Sequence, residues 1–338
     1  MMKISSLGEF GLIDRIRRTA ARDAKRVSIG IGDDAAALVL SSSSTLLATT
    51  DMLLEGVHFD LATTDLFSLG WKSAAVNLSD IAAMGGTPRF CLTALGIPSS
   101  LTVRDLEEFY RGLNACLKKF GAVLTGGDTC RSRTGLVISV SVLGEADKKR
   151  IITRSGARPG DLLFVTGTLG DSAAGLELLQ RKAAAKGSVN RKLTEKHLRP
   201  VPRVTEGRKL AVAGIASSMI DVSDGLSSDL RHICEQSGVG AEVFIERIPL
   251  SKELRSVKGL KQPPVQYALS GGEDYELLFT AHPANTRKLD SLKIAATEIG
   301  IITGGGSVLL KDDRGRDRML AATGYDHFRN SRRRGAVR

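Results

Sequence analysis

The sequence predicts an α+β fold in two domains, and three observations indicate this class. The chain has 338 residues, which suits two domains of roughly 100–200 residues better than one core. Helical and strand-like patterns are mixed in both halves. The polar run Asp147-Lys148-Lys149-Arg150 interrupts the hydrophobic pattern. We therefore predict a first domain over residues 1–149, a second over 150–328 and a basic tail over 329–338.

The elements of the first half follow from capping signals, apolar periodicity and β-branched runs. On the helix over residues 65–84, Asp80 lies on the polar face with Ser73 and Asn77, so it can face a ligand. In order, the predicted elements are a helix from Ser6 to Arg22, an apolar run into Asp33-Asp34, a strand over 45–50 that leads into Asp51, the helix over 65–84, a helix from Thr102 that ends at Gly121, a strand over 122–125 that ends at Gly126-Gly127-Asp128, and a strand over 136–143.

The second half repeats this mixture, with a polar stretch near residues 187–202 that we interpret as a linker. In order, the predicted elements are a strand over 162–166, a helix over 171–185, the linker, a helix through Ala213, a strand over 218–221, a helix that begins near Gly225, and strands near Val243, Leu277 and Val308.

Composition excludes several classes of protein. Apolar residues make up 42% of the chain and charged residues 25%, which is typical of a folded globular protein. The four cysteines include no Cys-x-x-Cys pair, so neither a zinc ribbon nor a disulfide framework is encoded. The sequence shows neither an apolar signal region at its N-terminus nor a run of 18 apolar residues. We expect a cytoplasmic protein with no membrane partner.

The formal net charge of +11 invites comparison with nucleic-acid-binding proteins. Five arginines lie within residues 329–338, a run typical of a solvated tail, and without them the charge is +6 (11 − 5). One Trp and four Tyr offer little for base stacking, and no nucleic-acid module is recognisable. The excess charge also suits the attraction of anionic nucleotides, so nucleic-acid binding is the less favoured alternative.

Acidic residues beside glycines or small hydroxyl residues recur along this basic chain. They are Gly32-Asp33-Asp34, Thr49-Thr50-Asp51, Asp80, Gly126-Gly127-Asp128, Asp221-Val222-Ser223-Asp224-Gly225 and Gly271-Gly272-Glu273-Asp274. Hard cations such as Mg²⁺ take oxygen ligands, and glycine lets the backbone approach a bound phosphate closely. Because the motifs come from both halves, we expect one site in a cleft between them. The chain has no P-loop and no protein-kinase motifs, so cations held by aspartates would neutralise the phosphates.

Several of these residues also have a purely structural interpretation. Asp and Gly are the commonest turn residues; Asp224 could cap the helix that follows it, and Asp128 could close a strand turn. His58 could be a core histidine, Tyr110 lies on the apolar stripe of its helix, and Tyr325 could be a packing anchor. The residues alone leave both interpretations open.

The ordered set of motifs resembles the thiamine-monophosphate kinases, a family of the aminoimidazole ribonucleotide synthetase-like superfamily. The resemblance covers nearly the whole chain, and it is specific because so many motifs occur in order. It rests on residues 30–36, 49–59, 77–85, 126–129, 153–161, 221–226 and 270–277. Cys130 departs from the pattern, since the family usually has threonine there.

The resemblance implies roles for individual residues, several Mg²⁺ ions, and a homodimer whose first domains join into a sheet or barrel. The implied metal ligands are Asp33, Thr49, Thr50, Asp51, Asp80, Asp128, Asp221 and Asp224. Of these, Asp51, Asp128 and Asp224 are predicted to be catalytic. The implied ATP contacts are Tyr110, Gly127, Asp128, Arg154 and Ser223. The implied thiamine phosphate contacts are His58, Glu273 and Tyr325.

The implied reaction transfers the γ-phosphoryl group of ATP to thiamine phosphate, the last step of thiamine diphosphate biosynthesis. A phosphate monoester has a second pKa of about 6, so the acceptor oxygen is already ionised at neutral pH and needs no general base. We therefore expect direct in-line transfer without a phosphoenzyme. The alternative is another ATP-dependent enzyme of the superfamily, such as a ribonucleotide synthetase. Selenophosphate synthetase is disfavoured because that enzyme needs a reactive cysteine or selenocysteine in an N-terminal glycine-rich segment, and no cysteine precedes Cys91 here.

Overall fold

The computed structural model describes residues 27–29, 33–34, 36–39, 44–181, 187–314 and 316–320. The helix predicted from Ser6 to Arg22, the predicted substrate contact Tyr325 and the basic tail lie outside these ranges. Within them the predicted α+β class is confirmed, because each half contains one sheet with helices packed on it. No helix in the described part of the chain has the length and apolar character needed to cross a bilayer.

The first half contains a six-stranded sheet. Its strands are β1 (Val27–Ile29), β2 (Ala36–Val39), β3 (Ser44–Leu54), β4 (Thr87–Ile97), β5 (Val123–Arg131) and β6 (Val137–Asp147). They lie in the order β1-β2-β3-β6-β4-β5, and only β4 and β5 run parallel. On β4, Cys91 and Leu95 are buried whereas Phe90 and Leu92 are exposed. This alternation shows that one face of the sheet is covered and the other is open.

Two helices, α1 (Leu66–Ala83) and α2 (Val103–Lys119), belong to the covered face. Both begin where the sequence predicts. The Asp65 side chain accepts a hydrogen bond from the Ser68 backbone N–H at 2.8 Å. Thr102 and Asp105 form a reciprocal capping box. These caps satisfy N–H groups that have no partner inside the first helical turn.

The second half contains a seven-stranded sheet and seven helices in its described residues. The strands are β7 (Leu162–Thr166), β8 (Ala216–Asp221), β9 (Gly240–Phe244), β10 (Leu277–Ala281), β11 (Ala296–Thr303), β12 (Val308–Lys311) and β13 (Asp317–Met319), in the order β13-β12-β9-β11-β7-β10-β8. The helices are α3 (Asp171–Gln180), α4 (Ser188–Leu198), α5 (Val204–Ala213), α6 (Leu226–Ser237), α7 (Lys252–Ser256), α8 (Pro264–Ser270) and α9 (Pro283–Leu292). A short 3₁₀ turn covers Ile245–Arg247.

Helix α1 joins the two halves. It is buried on nearly all sides, because the first sheet and α2 pack on one side while α5 and β8 of the second half pack on the other. A Cβ atom at Gly207 of α5 would lie 2.1 Å from the Ala82 carbonyl oxygen of α1. Glycine is therefore required at this helix crossing. Asp80, near the end of α1, is consequently carried into the contact between the halves.

Several predicted elements are wrong in extent or kind. The strand predicted over residues 122–125 continues as β5 through Asp128 to Arg131, so the Gly-Gly-Asp motif is inside a strand rather than after one. Strand β3 likewise runs past Thr50 to Leu54. The stretch near residues 187–202 contains α4 instead of an irregular linker, and α3 ends at Gln180 rather than at Ala185. The domain boundary near residue 149 stays a prediction.

Candidate active site

Four aspartates from both halves lie together where α1 meets the second sheet. Asp34 precedes β2, Asp51 is on β3, Asp80 is on α1 and Asp221 ends β8. Carboxylate oxygens of Asp34, Asp80 and Asp221 lie within 4.8 Å of one another. Asp51 is close enough for its charge to raise the pKa of Asp80. We call these four residues the acidic cluster.

Burial and mutual repulsion both oppose ionisation of the acidic cluster. Loss of water contact, followed by the charge of Asp34, raises the pKa of Asp51 to about 6 and that of Asp221 to about 8. Burial and the charges of the three other carboxylates raise the pKa of Asp80 well above its ordinary value. A buried group of like charges ionises fully only when positive charge is added.

Arg154 is a cation in direct contact with the acidic cluster. Its guanidinium donates two hydrogen bonds to Asp34 Oδ1, the one from Nε at 3.2 Å. Its backbone N–H donates to Asp33 Oδ2 at 3.3 Å. Burial opposes the charge of Arg154, but Asp34 and, more weakly, Asp33 raise its pKa. Arg154 alone does not balance four carboxylates.

Two buried oxygens of the acidic cluster, Asp34 Oδ2 and Asp221 Oδ2, have no hydrogen-bond partner among the described residues. A buried acceptor without a partner costs free energy, so such atoms call for an explanation. Mg²⁺ binds through carboxylate oxygens and keeps several water ligands, and it would satisfy both atoms. The donor set of the cluster therefore fits a hard divalent cation.

Thr49 and Thr50, both predicted metal ligands, point to opposite faces of β3. Thr49 Oγ1 donates to Asp80 Oδ2. Thr50 Oγ1 instead donates to the Val140 carbonyl oxygen at 3.2 Å and accepts from Ser141 Oγ at 3.0 Å. Strand alternation thus brings the side chain of Thr49, and not that of Thr50, to the acidic cluster.

Asp128, predicted as a catalytic metal ligand, lies away from the acidic cluster within one chain. It is exposed on β5, the edge strand, which is three strands from β3 or about 14 Å at the usual strand spacing. Its register partner is Ala94, an exposed residue of the open face. Gly127 is beside it, paired with Thr93. Tyr110 is half-buried on α2, edge-to-face with Phe109 at 5.5 Å between ring centroids.

Two loops of the second half hold Ser223, Asp224 and Glu273, and they bind each other through their backbones. The Glu273 N–H donates to the Ser223 carbonyl at 2.7 Å. A Cβ atom at Gly272 would lie 2.4 Å from that same carbonyl oxygen, so glycine permits this contact. The N-cap residue of α6 is Gly225 and not Asp224. The Asp224 N–H donates to Asp229 Oδ2 at 3.2 Å, which fixes the loop that follows Asp221.

Glu273 and His58, both predicted substrate contacts, are near enough for the charge of His58 to affect the pKa of Glu273. Burial opposes ionisation of Glu273, but Lys72 and, more weakly, His197 and His58 hold its pKa below its ordinary value. His58 Nδ1 accepts a hydrogen bond from the Leu54 N–H at 3.0 Å. The third predicted substrate contact, Tyr325, lies outside the described residues.

The sequence prediction omitted several residues that the structure places at this site. Asp34 was not named as a metal ligand although its neighbour Asp33 was, because a Gly-Asp-Asp motif does not show which carboxylate faces inward. The Asp33 carboxylate accepts hydrogen bonds from the backbone N–H groups of Asp34 and Arg154, and burial together with the charge of Asp34 raises its pKa to about 6. Asp229, Lys72 and His197 stand outside the glycine-rich motifs, so the sequence carried no signal for them.

Comparison with known proteins agrees with this architecture. The model of the AIR synthase related protein N-terminal domain matches residues 32–146, and that of the C-terminal domain matches residues 158–313. The two halves and the site between them thus define a member of the AIR synthase related family.

Individual relatives assign the chain to a narrower family. The thiamine-monophosphate kinase of Aquifex aeolicus is 39% identical over 97% of this chain and 100% of its own length. That of Escherichia coli K12 is 40% identical over 95% and 98%. The structure described as AaThiL complexed with AMPPCP and TMP has a TM-score of 0.86, with 38% identity over 97% of this chain and 99% of that one. The chain belongs to the thiamine-monophosphate kinase family, and the resemblance inferred from its motifs is confirmed.

Proposed function

We propose that this protein transfers the γ-phosphoryl group of ATP to thiamine monophosphate, giving ADP and thiamine diphosphate. The observation that carries the proposal is the acidic cluster, in which Asp34 and Asp80 of the first half meet Asp221 of the second. Support comes from relatives of that activity, which match the chain over nearly its whole length. A related structure described as holding AMPPCP and TMP supports the two substrate classes.

Asp34, Asp51, Asp80 and Asp221 are the residues that would hold Mg²⁺, with Thr49 orienting Asp80 through its hydroxyl. Bound there, Mg²⁺ supplies positive charge that offsets the repulsion between the nucleotide and the acceptor phosphate. Two unit charges about 4 Å apart repel by roughly 4 kcal/mol at an effective dielectric near 20, so several such pairs dominate the barrier. Asp33, Asp128 and Asp224 stay predicted ligands.

The acceptor needs no general base. The remaining task of this chain's residues is therefore to orient two anions, the nucleotide and thiamine phosphate. Thiamine phosphate is a monoester with a second pKa of about 6, so its oxygen is ionised at neutral pH. Arg154, beside the acidic cluster, would donate to nucleotide phosphate oxygens, where a guanidinium can form paired hydrogen bonds. Ser223, Tyr110 and Gly127 stay predicted contacts for ATP, and His58, Glu273 and Tyr325 stay predicted contacts for thiamine phosphate.

We also propose that the protein is a homodimer whose second copy covers the open face of the first sheet. Four large apolar side chains are exposed on that face: Met52, Phe90, Leu92 and Val123, at 57%, 48%, 42% and 55%. An exposed apolar patch on a soluble domain commonly marks an interface. Asp128 shares this face, so a second copy is the means by which it would reach a nucleotide. A cytoplasmic location stays a prediction from the sequence.

The proposed function is tested by steady-state release of ADP with and without thiamine phosphate, and with and without EDTA. We expect release that requires thiamine phosphate, matches thiamine diphosphate formation mole for mole, and stops when the metal is chelated. The release of ADP only with another acceptor, such as a ribonucleotide amide, would contradict the substrate and favour the synthetase alternative. ADP release that persists in EDTA would contradict the metal assignment.

A further inference from the structure

Lys72 of α1 is buried, so its ammonium group does not face solvent. It contacts both Glu273 and His197 of the second half. Its side chain is 2% exposed. Lys72 Nζ lies 2.8 Å from Glu273 Oε1 and 3.5 Å from His197 Nε2. His197 Nδ1 lies 3.2 Å from Glu273 Oε2 and 3.1 Å from Ser172 Oγ. Both carboxylate oxygens of Glu273 are therefore held by partners on two different helices.

The protonation of this network follows from its contacts. An ammonium group can only donate, so His197 Nε2 is the acceptor and Nδ1 carries the proton, with Ser172 Oγ at 3.1 Å and Glu273 Oε2 at 3.2 Å as its neighbours. Burial, reinforced by the charge of Lys72, lowers the pKa of His197 to about 4. The imidazole is thus neutral at physiological pH, and the network contains one cation and one anion. Each oxygen of Glu273 keeps a further lone pair that can accept a donor from a ligand.

The backbone at Glu273 needs this support. Glu273 has φ +67° and Tyr275 has φ +51°, which are left-handed conformations that side chains other than glycine rarely adopt. Among the described residues, the only other residue besides glycines with a positive φ is Lys293. Such strain persists where surrounding contacts fix it, and it is concentrated at functional sites. The side chain of Glu273 is still 28% exposed, so a free face of the carboxylate remains.

The position of Lys72 relates this network to the acidic cluster. Lys72 and Asp80 are eight residues apart on α1, which is about 12 Å along the axis of a helix. Thiamine phosphate has a similar extent, since its phosphate is separated from its pyrimidine by a thiazolium ring and two short linkers. One helix thus carries both Asp80 of the acidic cluster and Lys72, which holds Glu273.

We propose that Lys72 and His197 are positioning residues of the thiamine phosphate site, and that they act by fixing the carboxylate of Glu273 across the two halves of the molecule. This inference rests on the proposed function. Neither residue needs to touch the substrate. Loss of either leaves Glu273 free to rotate toward solvent, which weakens the binding of thiamine phosphate and leaves the nucleotide site intact.

The test compares KM for thiamine phosphate with KM for MgATP in four variants. We expect Lys72→Met and His197→Ala to raise KM for thiamine phosphate about tenfold or more, with KM for MgATP changed less than about twofold. Lys72→Arg keeps the positive charge and His197→Asn keeps a donor near Nδ1, so each should raise KM for thiamine phosphate less than the variant that removes the charge or the donor. A purely structural role would move both KM values or neither.

The control is Lys192→Met, which removes an exposed ion pair with Glu253 on the same helix as His197 and should change neither KM. A double-mutant cycle isolates the mechanism: Lys72→Met combined with Glu273→Gln should bind thiamine phosphate no more weakly than Glu273→Gln alone. Additive losses would overturn the proposal, as would unchanged or tighter binding in Lys72→Met. Titration with a non-hydrolysable MgATP analogue shows that each variant is folded. Absence of turnover in the unchanged protein would instead overturn the function itself.

Discussion

Asp221, at the end of β8, is the one residue of the acidic cluster that comes from the second half. Replacing it by asparagine removes an oxygen anion that the proposed Mg²⁺ site needs. We expect Asp221→Asn to lower kcat about tenfold or more, which is at least about 1.4 kcal/mol in the barrier. The measurement is kcat at saturating substrates, with circular dichroism to verify the fold.

The matched control for that variant is Asp290→Asn, which removes an exposed carboxylate on α9. We expect it to leave kcat unchanged. Asp51→Asn and Asp128→Asn extend the series, and both should reduce turnover by a similar factor if both carboxylates serve the site. Wild-type kcat in Asp221→Asn would exclude a role for the acidic cluster in turnover.

At the residue scale, the sequence identified the acidic motifs but did not show the direction in which each side chain points. A Gly-Asp-Asp or Thr-Thr-Asp motif contains adjacent residues that alternate across a strand or a turn. Only the structure shows that Asp34 faces the acidic cluster and that Thr50 faces the opposite side of β3. The buried Lys72 was not predicted, because a lysine beside Trp71 in a helix resembles an ordinary surface residue.

The crossing of α1 and α5 sets how the two halves meet, and Gly207 controls its closeness. A methyl group there would lie 2.1 Å from the Ala82 carbonyl oxygen, so the helices must separate. Overpacking of this kind costs about 1–3 kcal/mol, and we expect that loss in the free energy of unfolding of Gly207→Ala. Denaturant titration measures it.

The control for Gly207→Ala is Gly304→Ala, at an exposed turn where a Cβ would meet nothing within 4 Å. Its free energy of unfolding should change by no more than about 0.5 kcal/mol. Equal stability of the two variants would show that the helix crossing tolerates a wider spacing than the structure indicates.

Arg203, at the start of α5, fixes that helix to the second sheet. It donates two hydrogen bonds to Glu276, which is 3% exposed and also accepts from Thr166 Oγ1 at 2.6 Å. Removing one partner leaves a buried charge, so we expect Arg203→Met to lower the free energy of unfolding by about 3–5 kcal/mol. Arg247→Met breaks the exposed Arg247–Glu298 pair and should cost less than about 1 kcal/mol. Similar losses in the two variants would contradict this account.

At the element scale, strong periodicity and capping signals predicted α1, α2, α5 and the strand pattern of both halves. Strand β5 was cut short because Gly126-Gly127 has a low strand preference, which its parallel pairing with β4 overrides. Helix α4 was missed because its buried side is narrow: only Leu193, Thr194 and His197 are buried. A polar helix of this kind is stabilised by tertiary packing, which a sequence pattern does not show.

For the whole molecule, the charges of the acidic cluster should make stability depend on pH and on Mg²⁺. The pKa of Asp221 is raised to about 8, so its contribution to the free energy of unfolding is present at low pH and is lost as pH rises through about 8. His197 and His232 have pKa values lowered to about 4, so they make stability rise with increasing pH. Their effect is confined to pH values below their unfolded pKa near 6.5. The metal-free protein should therefore lose stability between about pH 6.5 and 8.

Thermal unfolding at pH 6.5, 7.3 and 8.0 in EDTA measures this dependence. We expect Tm to fall across the series, and the fall to be smaller in Asp221→Asn and in the presence of Mg²⁺. A Tm that rises with pH in EDTA, or that does not respond to Mg²⁺ at pH 8, would contradict the electrostatics described for the acidic cluster.

In the proposed function, carboxylates from both halves form one site for phosphoryl transfer from ATP to thiamine phosphate. Incubation with γ-³²P-labelled ATP, Mg²⁺ and thiamine phosphate tests both parts when Asp221→Asn is run beside the unchanged protein. We expect label in thiamine diphosphate with the unchanged protein and at least about tenfold slower labelling with the variant. Label found only in inorganic phosphate would contradict the acceptor, and equal labelling by both proteins would contradict the site.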